Sequence, residues 1–321
     1  MQPEYAKSEV REILVSVIIP TLNAEKYIGK LIARLREQTV LPNEIIVVDS
    51  SSEDQTVDKA RALGVTVITI PREAFDHGGT RNLAAEYASG DILVFVTQDA
   101  LPSDSYFIEN LIKPFSDTQV AAVYGRQISV PDTQLLERLA KDYNYPHESM
   151  EKSIDDLQRL GIKTFFFTNV CSAIRSSTFH KVGRFPEPII VNEDMILAAK
   201  CILAGYKIVY SANARIDHSH NYSLLQTFRK YFDIGGSLGM NRWLLQYTSA
   251  EGEGGRLVKF QIRHLVSLRN WHWIPLWITE SVVKYIGYRM GLAYQSIPQK
   301  ARRSMSMHPL FWERKETMNL R

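Results

Sequence analysis

The chain has 321 residues, 45% of them hydrophobic and 23% charged, an ordinary globular composition that suits one large domain plus an appendage or two modest domains. Its net charge of +3 is too small to indicate a nucleic-acid partner, although residues 256–321 hold 12 Lys/Arg against 3 Asp/Glu and leave an acidic body behind them. Cys171 and Cys201 form neither a disulfide framework nor a zinc spacing, and read as buried free thiols of a reducing cytosol. The polar stretch Met1–Glu12 lacks the apolar core of a signal peptide, and no apolar run of about 18 residues predicts a transmembrane helix.

Strand and helix signals alternate through the first half. Ile13–Pro20 is a β-branched run, and Glu25–Gln38 places Tyr27, Ile28, Leu31, Ile32 and Leu35 at helical spacing. Glu44–Asp49 reads as the next strand, and a helix from Ser52 or Glu53 to Leu63 stops at Gly64. Val65–Ile70, a helix over Thr80–Ala88 and the strand Asp91–Thr97 follow. Continuous apolar strands separated by helices imply a mostly parallel sheet covered on both faces, an α/β fold. Beyond it, Val120–Val130 reads as strand and Thr133–Asp142 as helix. The run Thr164–Arg175, with Phe165-Phe166-Phe167, reads as buried strand. Asn192 suits the N-cap of a helix through Leu203 that Gly205 ends; Tyr206–Ser211 reads as strand and Arg215–Tyr222 as a polar loop. Gly252, Gly254 and Gly255 make Ser249–Gly255 a flexible link before the basic tail.

Ligands of such sheets bind at the carboxyl ends of the strands. Thr21 and Asn23, then Asp49 and Ser50, then Asp76 onward, and Asp99 all fall there. The run Phe75-Asp76-His77-Gly78-Gly79-Thr80-Arg81-Asn82 is the most informative. Its glycine pair allows close backbone approach to a ligand, and Arg81 and Asn82 add a cation and an amide at a helix start, where anions are favoured. A carboxylate one strand later, Asp99, could hold a metal against the same ligand, which together is equipment for gripping a nucleoside diphosphate.

Five short motifs in order resemble glycosyltransferase family 2, the inverting nucleotide-sugar transferases of the GT-A fold, over Val15 to Tyr222. They are Val17-Ile18-Ile19-Pro20-Thr21-Leu22-Asn23, Ile46-Val47-Val48-Asp49-Ser50-Ser51-Ser52, Gly79-Thr80-Arg81-Asn82, Thr97-Gln98-Asp99 and Asn192-Glu193-Asp194, followed by His218. His77–Asn82, Thr97–Pro102 and His218–Ser223 are similar to its rhamnosyltransferase branch, which implies deoxythymidine-diphosphate-L-rhamnose (dTDP-L-rhamnose) as donor. The family's metal motif often has two aspartates about a central residue, whereas Thr97 stands in the first place here.

The resemblance implies a role for each position beside a plainer alternative. Asp49 becomes the nucleobase contact, or a turn cap. Pro20, Thr21, Asn23 and Gln98 line the nucleoside pocket, or serve turn chemistry. Asp76, Gly79, Arg81 and Asn82 contact the donor, or Arg81 pins the loop by pairing with Asp76. Asp99 holds Mg2+ or Mn2+ with His218 or His220 completing the shell, or merely caps a helix. Asp194 is the base that deprotonates the acceptor and Glu193 orients the acceptor or tunes its neighbour, although acids also suit a first helical turn. Asp49, Asp99 and Asp194 are expected to share one cavity.

The expected protein is therefore an inverting transferase with a GT-A domain over residues 1–225 and a helical, basic, Trp-rich extension over 226–321. Trp271, Trp273 and Trp277 with Arg263, Arg269 and Lys284 suit a peripheral contact at the cytoplasmic face of a membrane, or a homodimer face. The acceptor would be a saccharide or a lipid-linked saccharide. A sugar-phosphate nucleotidyltransferase is disfavoured because Gly78-Gly79-Thr80-Arg81 follows the third strand rather than the first. A dehydrogenase is disfavoured because no GxGxxG follows the first strand. A non-catalytic saccharide-binding or scaffold protein of transferase fold is the alternative that Thr97 supports.

Overall fold

β-Branched and aliphatic runs dictate the centre of the molecule. The computed structural model describes residues 13–247 and 250–319, so Met1–Glu12 and Ser249 lie outside the described residues. Strands β1 (Val15–Thr21), β2 (Glu44–Asp49), β3 (Thr66–Thr69) and β4 (Ile92–Val96) pair in parallel, with Ile18 opposite both Ile46 and Phe95. Helices α1 (Ile28–Arg36), α2 (Thr56–Ala62) and α3 (His77–Glu86) connect them. Because successive strand residues face opposite ways, Ile18, Ile46, Val48, Leu93 and Phe95 enter one core, and Val17, Ile19, Ile45, Val47, Val94 and Val96 enter the other.

The chain continues through β5 (Leu101–Pro102), α4 (Phe107–Ile112), β6 (Val120–Ile128), α5 (Leu135–Asn144), β7 (Met150–Lys152), α6 (Leu157–Leu160), β8 (Cys171–Arg175), α7 (Ser176–Lys181), α8 (Glu193–Leu203) and β9 (Lys207–Asp217). The strands form one sheet in the order β3-β2-β1-β4-β8-β6-β9-β5, with β7 also on β9. The α/β architecture is as expected, but the parallel pattern stops at β4. Strand β8 runs antiparallel to both β4 and β6, while β6 and β9 are parallel.

Local readings fail at three places. Only Cys171–Arg175 of the expected strand Thr164–Arg175 is extended; Gly161–Phe165 is a 3-10 turn. Phe165 and Phe167 are buried from that irregular segment, so aromatic burial was mistaken for strand pairing. Arg215–Asp217, read as loop, extends β9 because β5 and β6 both pair with it. Gly252, Gly254 and Gly255 lie inside a helix, α10 (Ala250–Ser267), rather than a flexible link. Packing of Leu265 on Leu136 and Leu139 of α5 outweighs a helix cost of about 1 kcal/mol per glycine.

The remaining helices are α9 (Leu224–Met240), α11 (Ile274–Leu292), α12 (Gln299–Ser304) and α13 (Pro309–Asn319). Among the described residues no helix is long and apolar enough to cross a membrane, and both cysteines are buried and free. Helices α9 and α11 meet at glycines: a Cβ on Gly235 would lie 2.1 Å from the Tyr288 carbonyl oxygen, and one on Gly291 2.1 Å from that of Phe232. The chain then turns back. The Asp233 carboxylate accepts from Met307 N at 2.8 Å, Trp312 is buried in an apolar cluster with Phe232 and Tyr294, and Arg314 Nη2 donates to the Phe75 carbonyl oxygen at 2.7 Å.

Backbone contact at the α9–α11 crossing leaves no room for a methyl group. Gly291→Ala should lose about 1–3 kcal/mol in urea unfolding through overpacking. Gly29→Ala in α1, where the added Cβ meets nothing within 4 Å, should instead be neutral or gain about 0.5–1 kcal/mol. Equal effects at the two sites would show that the crossing is not tightly packed.

Candidate active site

A cavity of about 480 Å3 opens beside the ends of β4, β6 and β9. Its lining includes Thr97, Asp99, Gln127, Asp194, His218 and His220. The wall is completed by Lys141 of α5, Lys230 of α9 and Lys284 of α11, so the C-terminal helices help to form it.

At one corner Asp99, His218 and His220 offer three ligand atoms within 4.8 Å of one another. His220 Nε2 lies 3.2 Å and His218 Nε2 3.6 Å from the Asp99 carboxylate, and the two Nε2 atoms are 3.1 Å apart. His218 Nδ1 donates to Gln127 Oε1 at 3.0 Å, which leaves the lone pair of that ring on Nε2. Lys141 fixes the loop by donating to the His218 carbonyl oxygen and to Ser219 Oγ. Burial opposes ionisation of Asp99, yet the two imidazoles beside it hold its carboxyl well below the usual range. Burial lowers the pKa of His218, keeping the imidazole neutral as a ligand requires. This donor set, one carboxylate and two imidazoles, fits a divalent cation without a carboxylate from residue 97. Sequence reasoning left His218 and His220 as alternatives; the structure brings both to Asp99. Their spacing of two residues in extended chain was the available signal.

Asp194 opens α8, where its carboxylate accepts from Met195 N at 2.7 Å and Asn169 N at 3.1 Å. Burial, and then the charge of Glu193, push its pKa up to about 7. Glu193 lies behind it and does not line the cavity; Arg81 Nη1 is 3.3 Å and Asn169 Nδ2 3.0 Å from its Oε1. Burial works against its charge, but Arg81 leads the groups that keep its pKa below normal. This placement fits tuning of its neighbour rather than contact with an acceptor. The α8 N-cap, Asn192, adopts a left-handed conformation (φ 67°), and its Nδ2 has no protein partner.

The residues expected around the nucleoside form a row across the ends of β2, β1 and β4. Pro20 and Thr21 end β1 beside Val48 and Asp49. Asp49 is fully buried, with oxygens accepting from Thr21 Oγ1 at 2.9 Å, Ser52 N at 2.8 Å and Ser52 Oγ at 2.6 Å. Asn23 (φ 51°) receives Glu53 N on its Oδ1, and Gln98 bonds both backbone groups of Leu22. Asp99 and Asp194 share the cavity described above, but Asp49 does not line it.

The motif at residues 76–82 is engaged with protein. Asp76 accepts from Gly78 N, Gly79 N and Ile189 N, and Asn82 exchanges two hydrogen bonds with the Phe185 backbone. A Cβ on Gly78 would lie 2.0 Å from the Pro186 carbonyl oxygen, and one on Gly79 2.6 Å from Glu187 Oε2. Gly78 therefore admits the backbone of the loop before α8, where ligand approach was expected. Arg81 pairs with Glu193, not with Asp76 as the pinning alternative supposed.

If the corner binds metal, Gln127→Leu, which frees the His218 ring, should weaken Mn2+ binding by roughly 10–100-fold. His220→Ala should do at least as much. Titration calorimetry reads both, and unaltered isotherms would remove the cluster as a metal centre.

Comparisons with known proteins identify the family and the fold. Residues 16–183 match the family model Glycosyl transferase family 2. The chain is 40% identical over 301 residues to the O-antigen chain rhamnosyltransferase RfbN of Salmonella typhimurium, covering 93% of this chain and 96% of that one. It is also 40% identical over 300 residues to WbaN of Salmonella anatum, another O-antigen chain rhamnosyltransferase, covering 92% and 95%. Among solved structures, the mannosyltransferase PcManGT of Pyrobaculum calidifontis, in complex with GDP-Man and Mn2+, superposes with TM-score 0.60 over 90% of this chain and 89% of its own, at 16% identity. TarS of S. aureus with UDP-GlcNAc gives 0.56 over 93% and 85%, at 20% identity, so the two share the fold. On the family match and the length of these alignments, the chain belongs to glycosyl transferase family 2.

Proposed function

We propose that the protein transfers L-rhamnose, with inversion, from dTDP-L-rhamnose to a saccharide or lipid-linked saccharide acceptor in the synthesis of a cell-surface polysaccharide. The observation that carries this reading is the single cavity holding both Asp194 and the Asp99–His218–His220 cluster. Its volume is within the range of small-ligand sites, about 300–1,000 Å3. The two 40%-identical rhamnosyltransferases support the sugar.

In this mechanism Asp194 accepts the proton of the acceptor hydroxyl as its oxygen attacks the anomeric carbon. The bond from that carbon to the diphosphate oxygen breaks on the opposite side, through an oxocarbenium-like state. Asp99, His218 and His220 would hold a divalent cation, Mg2+ or Mn2+, whose charge offsets that of the departing diphosphate. Of these two, imidazole nitrogen ligands suit Mn2+ better than the harder Mg2+. Glu193, kept ionised by Arg81, raises the basicity of Asp194 through repulsion. Pro20, Thr21, Asn23, Asp49 and Gln98 shape the nucleoside end, while Asp76, Gly79 and Asn82 set the loop that leads to α8.

The division at residues 225/226 is also proposed, with the extension serving acceptor and membrane. Trp271, Leu276, Ile278 and Val282 are exposed on or beside α11, and the chain nearby carries Arg263 and Arg269. Indole, aliphatic and cationic groups together suit a peripheral position at the cytoplasmic face of a membrane.

Asp194→Asn should abolish sugar transfer while leaving calorimetric donor binding intact; undiminished turnover would remove Asp194 from the chemistry. In a screen of nucleotide sugars the thymidine donor should bind most tightly, and a uridine or guanosine preference would redirect the donor. Because the base must be unprotonated, kcat/KM should fall as pH drops through about 7. Glu193→Gln removes the repelling charge and should move that limb to lower pH.

A further inference from the structure

The loop that opens α3 is gripped by a distant part of the chain. The ring of His77, first residue of α3, meets those of Phe75 and His308 edge to face, with centroids 5.0 and 4.8 Å away. His308 stands between α12 and α13, more than two hundred residues further along. Its turn is fastened on two sides. Met307 N donates to the Asp233 carboxylate of α9 at 2.8 Å, and His308 N donates to Ser306 Oγ at 2.8 Å. Arg314 Nη2 donates to the Phe75 carbonyl oxygen at 2.7 Å and lies 4.0 Å from the Asp76 carboxylate.

From His77 the contacts lead to the reaction centre. Arg81 Nη1, one turn along α3, donates to the His77 carbonyl oxygen at 2.8 Å and lies 3.3 Å from Glu193 Oε1. Glu193 is the neighbour of Asp194, so His308, His77, Arg81, Glu193 and Asp194 form a continuous path. Burial lowers the pKa of both imidazoles by more than the charge of Glu193 raises it, which leaves them neutral at pH 7. The two rings therefore add no charge behind the acids; they fill space that water would otherwise take. His77 Nε2 is shielded and has no partner among the described residues. Dry surroundings strengthen both the pairing of Arg81 with Glu193 and the repulsion of Glu193 on Asp194.

We propose that His308 is a positioning residue of the reaction centre, which acts through the His77 ring and Arg81 to keep Glu193 dry and fixed behind Asp194. The inference rests on the transferase reading, in which Asp194 is the base. Arg81, His77 and His308 are the charged and titratable groups that surround Glu193 beside Asp194. Asp194 faces Tyr145 and, across the cavity, the Asp99–His218–His220 cluster, Glu137, Glu280, Lys141, Lys230 and Lys284. Replacing His308 leaves that second set in place, so a change in Asp194 reports on the path through Glu193.

The carboxyl carbon of Asp194, followed by NMR in the full chain carrying carbon-13-labelled aspartate, is the readout, and its signal is assigned by its loss in Asp194→Asn. His308→Ala should admit water to the Arg81–Glu193 pair, screen the repulsion and move the Asp194 midpoint to lower pH by about 0.5 or more. His308→Gln, a milder opening of the same space, should move it in the same direction. His308→Phe, which keeps a ring against His77, should hold the wild-type midpoint. In a Glu193→Gln background no charge remains to be screened, and His308→Ala should move nothing further. The thermal midpoint checks the fold of each variant. An unmoved Asp194 midpoint in folded His308→Ala or His308→Gln overturns the proposal. So does a shift that persists in the Glu193→Gln background, or one that His308→Phe reproduces. Nucleotide release from dTDP-L-rhamnose by the wild type is followed in parallel. Its absence would sink the transferase reading, whereas release with an unmoved midpoint would sink only the role of His308.

Discussion

The buried pair of Arg81 and Glu193 is the constraint on which the site depends. A carboxylate with a side chain only 6% exposed stays ionised there only because a guanidinium lies 3.3 Å away and Asn169 donates to it. That fixed negative charge in turn acts on Asp194, which alone of the two reaches the cavity. Division of labour between adjacent acids thus follows from which one has a cation beneath it. Arg81 cannot be treated as a free ligand-binding group without leaving Glu193 uncompensated.

Seen from this pair, residues 76–82 are a mould for the chain that follows α7. Asp76 receives Ile189, Asn82 holds Phe185, and Gly78 accepts the Pro186 carbonyl oxygen at a distance that no Cβ would permit. The moulded loop delivers Asn192 and Asp194 to the cavity and sets Glu193 behind them. At the other corner Asp99, His218 and His220 come from the ends of β4 and β9, held by Gln127 of β6 and Lys141 of α5. Both halves of the sheet therefore contribute to one cavity, and α9 and α11 close it.

Much of this was legible in the sequence where the pattern was local. The fully apolar runs at Ile45–Val48 and Ile92–Val96 announced buried strands, and ordered polar groups at strand ends announced a crevice. Pairing partners far apart in sequence were not legible. Nothing around Cys171–Arg175 reveals that β8 enters between β4 and β6 antiparallel, because side-chain alternation is the same for either direction. Glycine was ambiguous for a similar reason. Gly78 carried no mark to separate approach by a ligand from approach by backbone, and Gly252–Gly255 read as a break because the packing of α10 on α5 is non-local. The role of Gln127 was silent, being one polar residue in a strand until His218 is set beside it.

The return of α13 to α3 ties the order of synthesis to the order of assembly. Arg314 bonds to Phe75, and the rings of His308 and His77 meet edge to face at 4.8 Å, across more than two hundred residues of chain. A nascent polypeptide can build β1 to β4 on the ribosome, but the motif between β3 and β4 gains these last neighbours only once residue 314 has emerged. Products stalled or cleaved ahead of that point would carry Asp99, Glu193 and Asp194 and still lack the contacts that finish the loop at residues 76–82.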